Sequence, residues 1–335
     1  MSDNIPFKSF EEQLVKIQEK NIDIISEDFT INSLKNHSYY TLINGYKHLF
    51  LKPGETDIMI DGTCFEDFSV AYYIDTNISS LIFKYILFIE RGLRTRVSYV
   101  VANTFGVENT GDNSYLKRGL YLDSRRLRGS TLRDLDDCIR NCKQGSVTYY
   151  YKENKANIPP WIVVNDISFF NTISWFEILP YDFKQMILTD YFNNSELPER
   201  GHADFLYYSM NFLRDYRNIA AHGKRNFKEK IKHYISPGNS LQFFGTTLLT
   251  QSDIDNGFGF KDLYTVIILI LKYTFDEVVL SNFVQELLVS LLPYIDSETY
   301  EPNKLINGKN IYQILNIPEN TMTRIFTYIE ELYAK

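Results

Sequence analysis

The stretch 78–101 most constrains the fold. Its apolar side chains Ile78, Ile82, Tyr85, Ile89, Leu93, Val97 and Val100 recur at helical steps, which puts them in one stripe along a long helix. Lys84, Arg91, Thr95 and Ser98 stand on the opposite side. Helical spacing dominates elsewhere too. Residues 8–21 read as a short amphipathic helix. In 33–50, Leu34, Tyr39, Leu42, Tyr46 and Leu49 recur at near-helical intervals. The turn pairs Pro53-Gly54 and Asp61-Gly62 interrupt the chain, and Thr63-x-x-Glu66 has the form of a capping box opening the next helix.

Later segments extend the pattern. Residues 147–151 (VTYYY) read as a short strand or extended loop. Residues 203–222 form the most clearly amphipathic helix, with Phe205, Tyr208, Phe212, Tyr216 and Ile219 as its packing stripe. Four glycines in 233–260 favour a loop or hairpin there. Helices are expected at 263–280 and 282–292, and a tail helix at 319–335. The expected architecture is all-α: an N-terminal helical segment (1–62) packed on a core (63–295), with irregular or β-hairpin insertions at about 145–160 and 233–260, then a tail (296–335).

Composition bounds the partners. With 44% apolar residues the 335-residue chain can fill a core, and aromatics at 15% are almost all Phe (24) and Tyr (25). Such rings favour a filled interior with tyrosine hydroxyls at its edges. The net charge of −7 excludes a uniformly basic nucleic-acid coat but not local basic patches. Residues 115–145 hold eight Lys and Arg against four Asp, and 223–233 hold five against Glu229 alone. Each segment reads either as a polyanion track or as a solvated surface. Three cysteines are too few for a disulfide scaffold. Cys138 and Cys142, four apart with no histidine near, read as two small buried residues, so neither a metal nor a cofactor is expected. The first residues lack the pattern of a secretion signal, and the longest apolar run, 266–271, is far too short to span a bilayer. A cytoplasmic chain with no membrane partner is the expectation.

The chemistry concentrates before Gly223. Asn211, Asp215, Asn218 and His222 follow one another at steps of four, three and four, a polar line along the 203–222 helix. Arg214 and Arg217 lie beside it. Arg217 and His222 are five residues apart, roughly 7.5 Å of rise and 140° of rotation, within reach of a long guanidinium side chain. Arginine offers forked donors that suit phosphate, and histidine exchanges protons near neutrality. With Asn218 to orient ring or substrate, the group suits RNA cleavage by 2′-hydroxyl attack. The same residues also read as a surface arginine and a helix-terminal histidine favouring the helix dipole.

RNIAAH at 217–222 resembles the R-N-x-x-x-H form of the HEPN ribonuclease signature. The segments SYYTLINGY (38–46), FIERGLRTRV (88–97), PPW…ISFFNTISWF (159–176) and LRDYRNIAAHGKRNF (213–227) resemble, in order and over about residues 8–290, the Abi-like family (abortive infection, AbiD/AbiF type). The resemblance implies an all-α HEPN bundle, a phage-defence or toxin–antitoxin role, and metal-independent RNA cleavage by Arg217, Asn218 and His222. Glu90, Arg91, Arg94, Arg214 and Asp215 would support these; Glu90 and Arg94 also read as a plain intrahelical pair. Lys224, Arg225, Lys228, Lys230 and Lys232, with Arg125, Arg126 and Arg128, would hold RNA as substrate or inhibitor. Some HEPN toxins carry a modifiable tyrosine two positions after the histidine; Lys224 stands there here. One histidine for two proton transfers points to a homodimer with a composite site, or to a monomer in which Glu90 or a tyrosine supplies the second group. A non-catalytic RNA-binding or regulatory HEPN protein is the alternative.

Overall fold

The computed structural model of the chain describes residues 6–193, 195–223 and 231–334. Helix α1 (Phe10–Gln18) opens on a capping box between Ser9 and Glu12, and α2 (Glu27–His37) on the Ser26 hydroxyl. Ser38, at φ +62°, ends α2, so 33–50 is not one helix: a π-turn (Tyr40–Asn44) and a 3-10 turn (Lys47–Leu49) follow. The long helix α3 runs from Phe65 to Phe105 and buries all seven residues of the stripe read from the sequence. Its capping box is formed by Cys64 and Asp67, one residue beyond the Thr63–Glu66 pair, and Gly106 at φ +87° ends it.

The remaining helices are α4 (Arg128–Arg140), α5 (Val147–Asn154), α6 (Pro160–Val163), α7 (Phe169–Ile178), α8 (Tyr181–Phe192) and α9 (His202–Ala221). Then come α10 (Pro237–Phe244), α11 (Gln251–Asp255), α12 (Leu263–Tyr273), α13 (Glu277–Leu291), α14 (Ile311–Leu315) and α15 (Thr321–Tyr333). α3 is the axis: α6, α7, α8, α9, α12 and α13 all pack on it. The fold is all-α, and among the described residues extended pairing is limited to isolated bridges such as Leu51 with Met59.

Three expectations from the sequence differ from the fold. VTYYY is the start of α5, because the Ser146 hydroxyl caps it by accepting from the Tyr149 N–H and its neighbours α4 and α6 are helical; tertiary context overrides the strand preference of Val, Thr and Tyr. In 233–260 there is no hairpin. Pro237 opens α10, Thr250 and Asp253 box the start of α11, and Gly245 (φ +76°) ends α10, so this glycine marks a helix end. Cys138 and Cys142 are free and half-buried rather than buried. Burial pushes the Cys64 and Cys138 thiols up to about 11, which keeps both protonated near neutrality.

The aromatic interior has the expected form. Trp175, fully buried, donates its indole N–H to the Tyr121 hydroxyl at 3.1 Å; Tyr121 donates to the Tyr115 carbonyl at 2.7 Å, and Tyr115 to that of Ile158 at 2.8 Å. This relay ties α7 to the segment after α3 without leaving a buried hydroxyl unpaired. Among the described residues no helix is long and apolar enough to cross a membrane.

Candidate active site at the end of α9

α9 is fixed at both ends. At its start the His202 ring stacks on Phe192 at 4.1 Å and its Nε2 lies 2.7 Å from the Leu197 carbonyl. Phe205, Phe212, Tyr216 and Ile219 enter the core, whereas Tyr208, read as part of that stripe, is 38% exposed. The helix closes with His222 as its C-cap, the backbone N–H bonded to the Asn218 carbonyl at 3.1 Å, and Gly223 follows at φ +60°. This ending leaves Arg217 and Asn218 in the last turn and His222 exposed on its rim. The His222 imidazole makes no hydrogen bond or ion pair with another described residue.

Opposite this turn lies Glu90 of α3, whose side chain is 3% exposed. Its Oε1 takes a hydrogen bond from Arg94 Nη2 at 2.6 Å, and the same Nη2 donates to the Ile167 carbonyl at 2.8 Å. Its Oε2 lies 3.6 Å from Arg217 Nε, an ion pair longer than a hydrogen bond. Arg217 then donates from Nη1 to Asn218 Oδ1 at 3.2 Å, and its guanidinium carbon sits 5.9 Å from the Phe83 ring centre. One carboxylate thus faces two guanidinia, leaving a surplus positive charge on a side chain that is one-third exposed. Such a guanidinium, turned toward Asn218 and held from behind, can take a phosphate oxygen with its remaining N–H groups.

A cleft of about 610 Å³ adjoins this corner, between the first half of α3 and the end of α9; Tyr40, Tyr72, Asp75, Phe83, Ala220 and Gly223 are among its walls. Phe83 touches both the cleft and Arg217. Asp75, 2% exposed, accepts from the Tyr46 hydroxyl at 2.9 Å and the Ser79 hydroxyl at 3.3 Å.

The other residues singled out from the sequence take different places. Arg94 joins the site through Glu90. Arg214 stacks on Phe170 at 4.8 Å and approaches Asp215 at 3.6 Å, while Arg91 is exposed over Phe88 at 5.8 Å, away from Glu90. Asp215 does something the sequence did not announce. Its Oδ2 accepts the backbone N–H of Lys232 at 3.2 Å and of His233 at 3.0 Å, and meets His233 Nδ1 at 2.8 Å. Of the basic residues, Arg125 is taken up by Glu177 (3.2 Å), Asp204 (2.5 Å) and the Tyr208 hydroxyl (3.1 Å), and Arg128 by the Tyr121 carbonyl (3.1 Å) and Asp123 (3.8 Å). Arg126 is exposed at φ +59°, and Lys232 is exposed. Lys224, Arg225, Lys228 and Lys230 lie outside the described residues.

An all-α bundle built round one long helix, with an arginine and a histidine on the last turn of a second helix and a buried glutamate behind the arginine, is the class that fold and site define. The model of the Abi-like protein family matches residues 32–228, more than half of the chain, and the chain belongs to that family. Its implied role is phage defence by abortive infection. The match is narrower than the 8–290 span read from the segments: it contains the α9 site and leaves α10 to α15 outside. No curated protein and no solved structure matches the chain.

Proposed function

We propose that the chain is a HEPN-type endoribonuclease, a toxin of an abortive-infection or toxin–antitoxin system, that cleaves RNA without a metal ion. The observation that carries this reading is Arg217, held by buried Glu90 and turned to Asn218, one turn from an exposed His222. In the reaction the ribose 2′-oxygen attacks the adjacent phosphorus and its proton passes to an imidazole. Arg217 neutralises the charge gathering on the non-bridging oxygens. The bond to the 5′-oxygen breaks, leaving a 2′,3′-cyclic phosphate and a 5′-hydroxyl. The guanidinium and the imidazole cover the charge and proton roles that a metal-bound water would otherwise fill. The basic run Lys224, Arg225, Lys228, Lys230 and Lys232, directly after the histidine in sequence, suits the RNA backbone.

The rival reading, RNA binding without cleavage, draws on the Glu90 ion pair, which commits part of the Arg217 charge. Purified protein incubated with total RNA in EDTA, wild type beside His222→Ala, separates the two. Cleavage by wild type and its loss in the variant support the nuclease. Binding by both without cleavage supports the rival.

A further inference from the structure

Cleavage through the 2′-hydroxyl moves two protons, one off the nucleophile and one onto the leaving oxygen, and the R-x4-H motif offers one histidine. The structure brings a second imidazole to the same helix face. Asp215, Asn218 and His222 lie at steps of three and four on α9, so Asp215 and His222 are two turns apart, about 10.5 Å along the axis and within about 20° of one another around it. On the Asp215 carboxylate sits His233, with Nδ1 at 2.8 Å and its own backbone N–H at 3.0 Å. The His233 side chain is 20% exposed, and its Nε2 bonds to no other described residue. A carboxylate behind one ring nitrogen fixes the tautomer, leaves the other nitrogen to exchange the proton, and supports the positive charge of the ring during transfer. Helix side chains all lean toward the N-terminus, so the His222 ring and the Asp215–His233 pair stay about two turns apart with Asn218 between them. His233 also lies beyond the span matched by the family model, which ends at residue 228.

We propose that His233, backed by Asp215, is the general acid of the α9 site, and that His222 is the base. The inference rests on the ribonuclease reading above. His222 takes the 2′-hydroxyl proton as the oxygen–phosphorus bond forms. The His233 imidazolium gives its Nε2 proton to the 5′-oxygen as that bond to phosphorus breaks. Solvent then carries the proton from His222 back to His233, so no further reactant is consumed. One chain would then hold both proton-transfer groups.

The test replaces the leaving oxygen. An RNA carrying a bridging 5′-sulfur leaves as a thiolate and needs no acid. His233→Asn places an amide N–H where Nδ1 meets Asp215, and so keeps the contact that holds this segment, but has no proton to give. On ordinary RNA it should lose about 10²–10⁴ in rate; on the 5′-sulfur substrate it should approach wild type, whereas His222→Gln stays slow on both. Wild-type rates for His233→Asn on ordinary RNA, or an equal deficit on both substrates, would overturn the proposal while leaving the ribonuclease reading intact. So would recovery of activity on mixing His222→Ala with His233→Asn protein, because a site whose base and acid come from one chain cannot be restored that way. A wild-type protein that cuts neither substrate ends the ribonuclease reading and this inference with it.

Discussion

Glu90→Gln is the perturbation that most directly probes how the site is held. It keeps the shape of the side chain and removes a charge that is 3% exposed and faces both Arg94 and Arg217. Removing one partner from a fully buried ion pair costs about 3–5 kcal/mol. Here the two guanidinium side chains keep 20% and 32% of their exposure, so water takes up part of the loss, and about 2–3 kcal/mol is expected. For a chain of this length that lowers the melting temperature by about 3–4 °C. The Arg217 guanidinium, released from its backing, should also lose its alignment and lower RNA cleavage by about 10–100-fold. Thermal unfolding followed by circular dichroism, for Glu90→Gln, Arg217→Ala and the double variant, gives the coupling. Because Arg217 is 3.6 Å away and partly solvated, a coupling of about 1 kcal/mol is expected. Additivity within about 0.3 kcal/mol, or a Glu90→Gln protein that melts like wild type, would refute the claim that Glu90 holds Arg217.

Neutralising Lys224, Arg225, Lys228 and Lys230 together should weaken RNA binding and flatten its salt dependence, whereas Arg125→Gln, which removes ion pairs to Glu177 and Asp204, should lower stability and leave the salt slope alone; filter binding across a salt series checks both. Gly259→Ala should cost about 1–3 kcal/mol in denaturant unfolding, because a Cβ there would run into the buried Leu249 side chain and the backbone is at φ +86°. Burial opposes ionisation of Asp253, but Arg324 and Thr250 outweigh it and hold its carboxyl below the ordinary 3.8. A folded-state value below the unfolded one means that its contribution is present above the unfolded value and is lost as pH falls through the folded one. Stability should therefore drop on acidification below about pH 4, and Asp253→Asn should make that part of the profile flatter.

What the sequence displayed was periodicity. The α3 stripe was legible because it is long and its steps are regular, and the amphipathic pattern of α9 was legible for the same reason. Short segments were not. Residues 147–151 and 237–244 carry strand-forming or turn-forming residue types, and only their caps and neighbours make them helical. Tyr208 matches the apolar spacing of α9, yet it lies out under Arg125, at 4.9 Å from the guanidinium carbon. The site divides along the same line. Arg217, Asn218 and His222 are local in sequence, as are Glu90 and Arg94. That Glu90 meets Arg217 depends on how α3 and α9 pack, and no spacing encodes it. His233 reaches Asp215 from eighteen residues away, after a basic stretch, so its sequence neighbourhood advertised charge and not proton transfer.

If the last turn of α9 cleaves RNA through the 2′-hydroxyl, the product ends carry that chemistry. The most direct measurement is the chemistry of the product ends, taken in EDTA from wild type, Arg217→Ala and His222→Ala. Wild type should give 2′,3′-cyclic phosphate and 5′-hydroxyl ends, and each variant a fall of about 10²–10⁴ in rate with unchanged circular dichroism. Products bearing 5′-phosphate and 3′-hydroxyl ends, or cleavage that both variants retain and EDTA abolishes, would contradict 2′-hydroxyl cleavage by this turn.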